Sequence, residues 1–243
     1  RGGDLKIGSG KYLVICGGQM SAGDGGDGGD ATATDRPGGH ARAYGGAGGD
    51  AAKDVRLTAG KKLTFEAAFT IDPGDAGNAG FANATGDDGL NQCPAGTLGA
   101  AATSRGGQGG RASKFGFAYG AVAGLANVTV SGGLGGGGGG ALATGGIGGS
   151  AAPCSPTAVG ANGRKGQAYG GKGGNGTLAG ELAALGVTIT PGAFEGGAGG
   201  NGGALGGDGG NAVAVPTEGC VSTSATAGDG GGKGLAQPPC CGS

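Results

Sequence analysis

Four short apolar stretches, three of them alternating with Thr, punctuate the chain: Leu13-Val14-Ile15, Leu63-Thr64-Phe65 running on to Phe69-Thr70-Ile71, Val128-Thr129-Val130, and Val187-Thr188-Ile189-Thr190. A period of two, rich in β-branched residues, predicts strands buried on one face. The stretches recur at intervals of roughly 50 to 65 residues, the mark of an internal repeat. Between them the period changes to three, as Gly-Gly-X. The closest copies are Ala43-Tyr44-Gly45-Gly46-Ala47-Gly48-Gly49-Asp50 and Ala168-Tyr169-Gly170-Gly171-Lys172-Gly173-Gly174-Asn175. A divergent relative is Arg105-Gly106-Gly107-Gln108-Gly109-Gly110-Arg111, with Ala118-Tyr119-Gly120 shortly after it.

A Gly-Gly-X run suits neither common element. In an α-helix each Gly costs about 1 kcal/mol relative to Ala. In a pleated strand a three-residue repeat throws X alternately to both faces. A polyproline II helix has about three residues per turn, so every X lies on one edge and bare Gly on the other two. Such a rod makes no internal hydrogen bonds and needs neighbouring rods to satisfy its amides. The fold class expected is therefore a repeat protein dominated by polyglycine II (polyproline II-type) helices packed side by side. Short β-strands, about one per repeat, accompany them, with almost no α-helix. The whole chain, 1–243, reads as one repeat domain with approximate units 5–54, 55–124, 125–181 and 182–243.

Composition sharpens this picture. Of 243 residues 72 are Gly, aromatics make up 4% and there is no Trp, so the side-chain supply for a conventional core is missing. Disorder usually carries high net charge as well, whereas 16 Lys+Arg against 17 Asp+Glu leave −1. Collagen needs an unbroken Gly-X-Y register with abundant Pro, and only 9 Pro occur. Along the sequence, positive charge clusters no further than pairs such as Lys61-Lys62 and Arg164-Lys165, which argues against nucleic acid as a partner. No apolar run of about 18 residues occurs, so membrane insertion by a helix is not expected.

Six Cys (Cys16, Cys93, Cys154, Cys220, Cys240 and Cys241) in a chain short of core suggest a disulfide framework and hence secretion. Each disulfide contributes about 2–4 kcal/mol, largely by restricting the unfolded chain. Fifteen pairings are possible for six Cys. The start at Arg1 is read as that of a mature form whose signal peptide has been removed. Asn83, Asn127 and Asn175 head Asn-X-Thr sequons, possible N-glycosylation sites.

Through runs such as Gly23–Asp30, Tyr44–Asp50, Arg105–Arg111, Leu134–Gly140, Thr144–Ser150, Tyr169–Asn175 and Glu195–Asn211, the chain resembles two groups. These are the glycine-rich antifreeze proteins of springtails and the polyglycine II tips of some phage tail-fibre adhesins. The resemblance is one of composition and period, and it implies a bundle of rods packed through Gly faces. Ice binding or receptor binding would follow from the two groups respectively.

Candidate chemistry is sparse. The Gly-Lys pairs at Lys11, Lys61, Lys172 and Lys233 are never followed by Ser or Thr, so no phosphate-binding loop is present, and no Gly-X-Ser-X-Gly elbow occurs. Asp24, Asp27 and Asp30 would stand about 9.3 Å apart along one polyproline II edge, too far for one cation that needs oxygens at about 2.3–2.6 Å. They are expected to form a solvated acidic edge. His40 follows the turn signal Pro37-Gly38-Gly39 and has no evident catalytic partner. Tyr44, Tyr119 and Tyr169 are expected to cap rods. No catalytic residue, cofactor or metal is expected, and the protein is not expected to be an enzyme.

The function expected is a secreted, disulfide-stabilised structural protein whose main partner is itself, in a homo-oligomer or filament of an extracellular fibre or coat. Ice binding is the first alternative, weakened by the charged X residues. The second is a receptor-binding adhesin with recognition loops near Thr32–His40, Asp87–Thr103, Ala151–Arg164 and Val213–Ala227.

Overall fold

The computed structural model describes residues 4–51, 54–92, 95–112, 114–131, 133–151 and 157–176, with short strands at 188–189, 202–205, 212–213, 224–226 and 236–237. Regular structure is almost entirely β. The described residues contain no α-helix, only a single 3-10 turn at Leu125–Asn127.

The first coil carries β1 (Leu5–Ser9), β2 (Tyr12–Ile15), β3 (Gly18–Ser21), β4 (Ala31–Asp35) and β5 (His40–Tyr44). The second carries β6 (Asp54–Phe65), β7 (Phe69–Asp72), β8 (Ala82–Gly86) and β9 (Ala101–Arg105). The third carries β10 (Lys114–Ala123), β11 (Val128–Val130), β12 (Ala141–Thr144), β13 (Thr157–Val159) and β14 (Gly166–Tyr169). Then come β15 (Thr188–Ile189), β16 (Gly202–Leu205), β17 (Ala212–Val213), β18 (Ser224–Thr226) and β19 (Ala236–Gln237). Every pairing is parallel. Those of the first three coils run between coils: β1 and β2 with β6, β6 with β10, then β3-β7-β11-β15, β4-β8-β12-β16 and β5-β9-β14, while β13 pairs with β18 and β17 with β19. Like residues consequently stack on like. Gln19, Thr70, Thr129 and Thr188 share one row, and Ala33, Ala84, Ala143 and Ala204 another.

The aliphatic core lies at one end of the coil. Val55, Leu57, Leu63 and Phe65 point inward from β6 and meet Ile71, Val128 and Val130 from β7 and β11, with Ile15, Met20, Phe69 and Leu125 around them. Period-two alternation in β6 leaves Arg56 exposed between buried Val55 and Leu57, and Lys61 and Lys62 are exposed as well, so the charged residues Arg56, Lys61 and Lys62 lie outside.

Beyond this core each coil flattens into two layers. The front layer continues from β3, β7 and β11 through the Gly-rich segments 22–30, 73–81 and 133–140 into β4, β8 and β12. The chain then turns back, and the back layer runs through β5, β9 and β14 into the segments 45–51, 106–112 and 170–176. The two sheets here pack through methyl groups, Ala82, Ala84 and Ala143 against Ala41, Ala43 and Ala102. Gly46 N–H donates to the Gly29 carbonyl at 2.8 Å on one side of this patch, and Ala100 N–H to the Asp87 carbonyl at 2.8 Å on the other. Layers held at backbone hydrogen-bonding distance leave room for little more than a methyl.

The expectation of about one strand per repeat falls short, since the first coil alone has five. In the missed strands β4, β8 and β12 every second residue is Ala, and Ala, with the Asn, Asp and Gly beside it, is depleted in strands and outweighs the Thr signal. These strands are held extended by the coils above and below. The first three apolar stretches do fall on strands β2, the end of β6 with β7, and β11, and of the fourth the described Thr188–Ile189 forms β15.

Candidate functional site: the coil edge and the two faces

The Gly-rich segments pair with a period of three. In 75–82 eight successive amides are satisfied in rotation. Asp75, Asn78 and Phe81 donate to the Oδ1 atoms of Asp24, Asp27 and Asp30, at 2.8, 2.7 and 2.7 Å. Ala76, Ala79 and Ala82 donate to the carbonyls of Leu134, Gly137 and Gly140 in the next coil, at 2.9, 2.9 and 3.0 Å. Gly77 and Gly80 donate across to the carbonyls of Gly49 and Gly46 in the back layer, at 2.9 and 2.8 Å. Of each three amides one thus goes along the stack, one across the layers, and one to a side chain of the preceding coil. The third partner is needed because that N–H faces outward, where no backbone carbonyl lies within reach.

Asp24, Asp27 and Asp30 are accordingly more than a solvated edge. Their carboxylates are exposed, yet one oxygen of each anchors the coil above. The side-chain device recurs: Asp75 accepts from Leu134, Asn78 from Gly137, Asp50 from Arg111, Asp88 from Ile147 and Asn91 from Ser150.

The first coil is an edge. Its strands β3, β4 and β5 end their sheets, and among the described residues the amides of Asp24, Asp27 and Asp30 have no acceptor, in contrast to Asp75, Asn78 and Phe81 one coil on. The glycines agree. A Cβ at Gly77 or Gly80 would overlap the carbonyl of Gly26 or Gly29 below it, whereas a Cβ on Gly26 or Gly29 meets nothing within 4 Å.

The two outer faces differ in charge. Outward positions of the front layer include Asp24, Asp27, Asp30 and Asp88, with an in-register column of Thr34, Thr85 and Thr144, and residues 18–35, 69–92 and 128–151 contain no Lys or Arg. The back layer exposes Arg42, Arg105, Arg111, Arg164, Lys165 and Lys172, and Asp50 is the sole acid in 40–51, 95–112 and 157–176. Tyr44, Arg105 and Tyr169 occupy one row, with the Arg105 guanidinium 5.2 Å from the centroid of the Tyr169 ring. His40 opens β5 and its Nε2 lies 2.7 Å from Thr103 Oγ1. Both line a cleft of about 320 Å³ with Gly163, Arg164, Lys165 and Gln167.

Other residues named from the sequence are dispersed. Tyr119 is partly buried against the aliphatic core, away from the Tyr44 row. Asn83 is half-buried with its Oδ1 covered and without a hydrogen-bond partner among the described residues, Asn127 Nδ2 donates to the Phe65 carbonyl at 3.3 Å, and Asn175 is exposed. Cys16 is an exposed free thiol with Sγ 3.8 Å from Glu66 Oε2. Cys93, Cys154, Cys220, Cys240 and Cys241 lie outside the described residues. No group of three or more His, Cys, Asp or Glu placed to hold a metal occurs among the described residues, and no described helix is long and apolar enough to cross a membrane.

The stretch Thr32–His40, expected as a loop, is two strands joined by a tight turn at Arg36–Gly39. Asp35 closes it, Oδ1 accepting from Arg36 N–H at 2.8 Å and Oδ2 from His40 N–H at 2.7 Å. These bonds, the one from His40 first, hold the Asp35 carboxyl below its ordinary value. Sequence reading missed the back-face cations as a group, because they come from three coils far apart in the chain.

No protein-family model matches the chain, and no curated protein does. Among solved structures, the nine polyproline type II helical bundle antifreeze protein of the springtail Granisotoma rainieri is similar at 18% identity, over 83% of this chain and 90% of that one, with a TM-score of 0.23. A score that low carries neither fold nor activity across.

Proposed function

We propose that the protein is a structural, self-assembling repeat protein whose Gly-rich segments are polyglycine II rods, and whose first coil accepts the last coil of another copy. The observation that carries this reading is the unanswered row of amides at Asp24, Asp27 and Asp30 beside bare Gly26 and Gly29. An extended edge with unpaired backbone is a template for another chain of like geometry. Heterologous contact between unlike ends gives an open filament. The period-three hydrogen bonding supports the rods, since that is the period of polyproline II. The reading includes secretion, suggested by the six Cys, and no enzymatic activity.

The test is electron microscopy and sedimentation of the purified chain beside Gly26→Ala/Gly29→Ala. Alanine at these two sites meets open space within one molecule, but it enters the volume that a docked coil's carbonyls would fill. Filaments from the parent and monomers of unchanged thermal midpoint from the double variant are expected. Filaments from both, or from neither, would overturn the reading.

One observation favours ice binding as a second reading: the flat front layer with Thr34, Thr85 and Thr144 in one column and Thr70 and Thr129 in another. Thermal hysteresis that disappears in Thr85→Lys would establish it, and its absence from the parent protein would remove it.

A further inference from the structure

We propose that the basic back face of one molecule docks on the acidic front face of a second copy, so that the plates stack face to face as well as end to end. The near-neutral total of −1 conceals the separation: the front-layer stretches hold eight Asp and no Lys or Arg, and the back-layer stretches hold six Lys and Arg and one Asp. Folding turns these stretches into opposite surfaces, because the side chains facing inward between the two sheets are Ala, with Ser104 among them, and none is charged. Asp24, Asp27 and Asp30 are exposed in front, as are Arg42, Arg105, Arg111 and Lys172 behind.

Both surfaces are ruled on the same lattice, about 4.8 Å between coils and about 9.3 Å between successive X residues of a rod. Asp24, Asp27 and Asp30 each keep one oxygen for the amide above and leave the other for a cation. A second copy matches in sign and in spacing. An arbitrary polyanion matches only in sign, which is why the acidic face of this chain is favoured as the occupant. The contact is heterologous, so it propagates. It does not rest on the end-to-end reading, since it is ionic where the coil edge offers backbone pairing.

The experiment uses the full chain in the Gly26→Ala/Gly29→Ala background, so that end contacts are off, and follows mass by sedimentation velocity. At about 10 mM salt, where screening reaches about 30 Å, association is expected, and at about 1 M, where it is about 3 Å, monomers. Arg42→Glu/Arg105→Glu disables the back face, and Thr34→Lys/Thr85→Lys the front face without removing any carboxylate that holds an amide. Each variant alone should be monomeric at low salt. Their equimolar mixture should form a species of twice the chain mass and stop there, because one usable face of each kind remains. Arg164→Glu/Lys165→Glu is a second back-face variant, and circular dichroism checks that all are folded. A parent that stays monomeric at low salt, or a mixture that does not dimerise, overturns the proposal. Binding of dextran sulfate by such a monomeric parent would assign the back face to a polyanion instead, and overturns it equally.

Discussion

The carboxylate of Asp27 accepts the amide of Asn78 at 2.7 Å, and the side chain of Asn78 in turn accepts the amide of Gly137 at 2.8 Å. Asn78 is therefore both a guest of the coil below and a host for the coil above, and Asp75 plays the same double part between Asp24 and Leu134. Coil stacking is written into side chains as well as backbone, and this gives the stack a direction.

Asp27→Ala removes the acceptor for Asn78 and should cost about 1 kcal/mol, the usual net worth of such a bond. Asp27→Asn should recover most of the loss, since Asn78 performs the same task with an amide oxygen. Guanidinium unfolding of the two variants beside the parent checks this; equal losses would mean that charge rather than the hydrogen bond matters.

Gly77→Ala should be among the most damaging single substitutions. Its Cβ runs into the Gly26 carbonyl, which is backbone and cannot rotate away, so overpacking of at least about 1–3 kcal/mol is expected. Gly26→Ala, the counterpart one coil earlier, should leave the monomer's thermal midpoint within a degree or two of the parent, reflecting about 0.5 kcal/mol at most.

Ser104 is buried in the alanine patch, in register with Ala43 and Ala168, and its hydroxyl has no partner among the described residues. Ser104→Ala removes an unpaired buried polar atom and should stabilise by about 1 kcal/mol. Ala84→Leu, between the same two sheets, should destabilise by about 1–3 kcal/mol because the layers cannot separate. Thermal melts of both variants decide.

The turn at Asp35 should be acid-sensitive. Its carboxyl is held low by the amides of His40 and Arg36, so the folded state binds the proton less readily than the unfolded one. The contribution is present above the unfolded value of about 3.9 and fades as pH falls through the lower folded value. Amide exchange at His40, protected at pH 5 and accelerating at the acid end, reads this directly; in Asp35→Asn it should lose that pH dependence.

The aliphatic strands were legible because alternation such as Val55-Arg56-Leu57 reports burial locally. The Gly-Gly-X segments announced close backbone contact, since a residue without Cβ has little other use at such density. Strands such as Ala31–Asp35 were not legible: nothing in Ala-Thr-Ala-Thr-Asp distinguishes a strand from a connection until neighbouring coils supply its hydrogen bonds. The same holds for the candidate surfaces. Asp24, Asp27 and Asp30 show in the sequence as an acidic edge, but their work is done on amides of residues 75–81, about 50 positions away.

The sequence by itself determined that the chain repeats, that its core is small, and that backbones must meet through Gly, because period and composition are local properties. Tertiary structure alone decided which amide each Asp holds, and that the acids and bases of a nearly neutral chain part onto opposite faces. Those relations join residues from different coils, and only the parallel in-register stack brings them side by side.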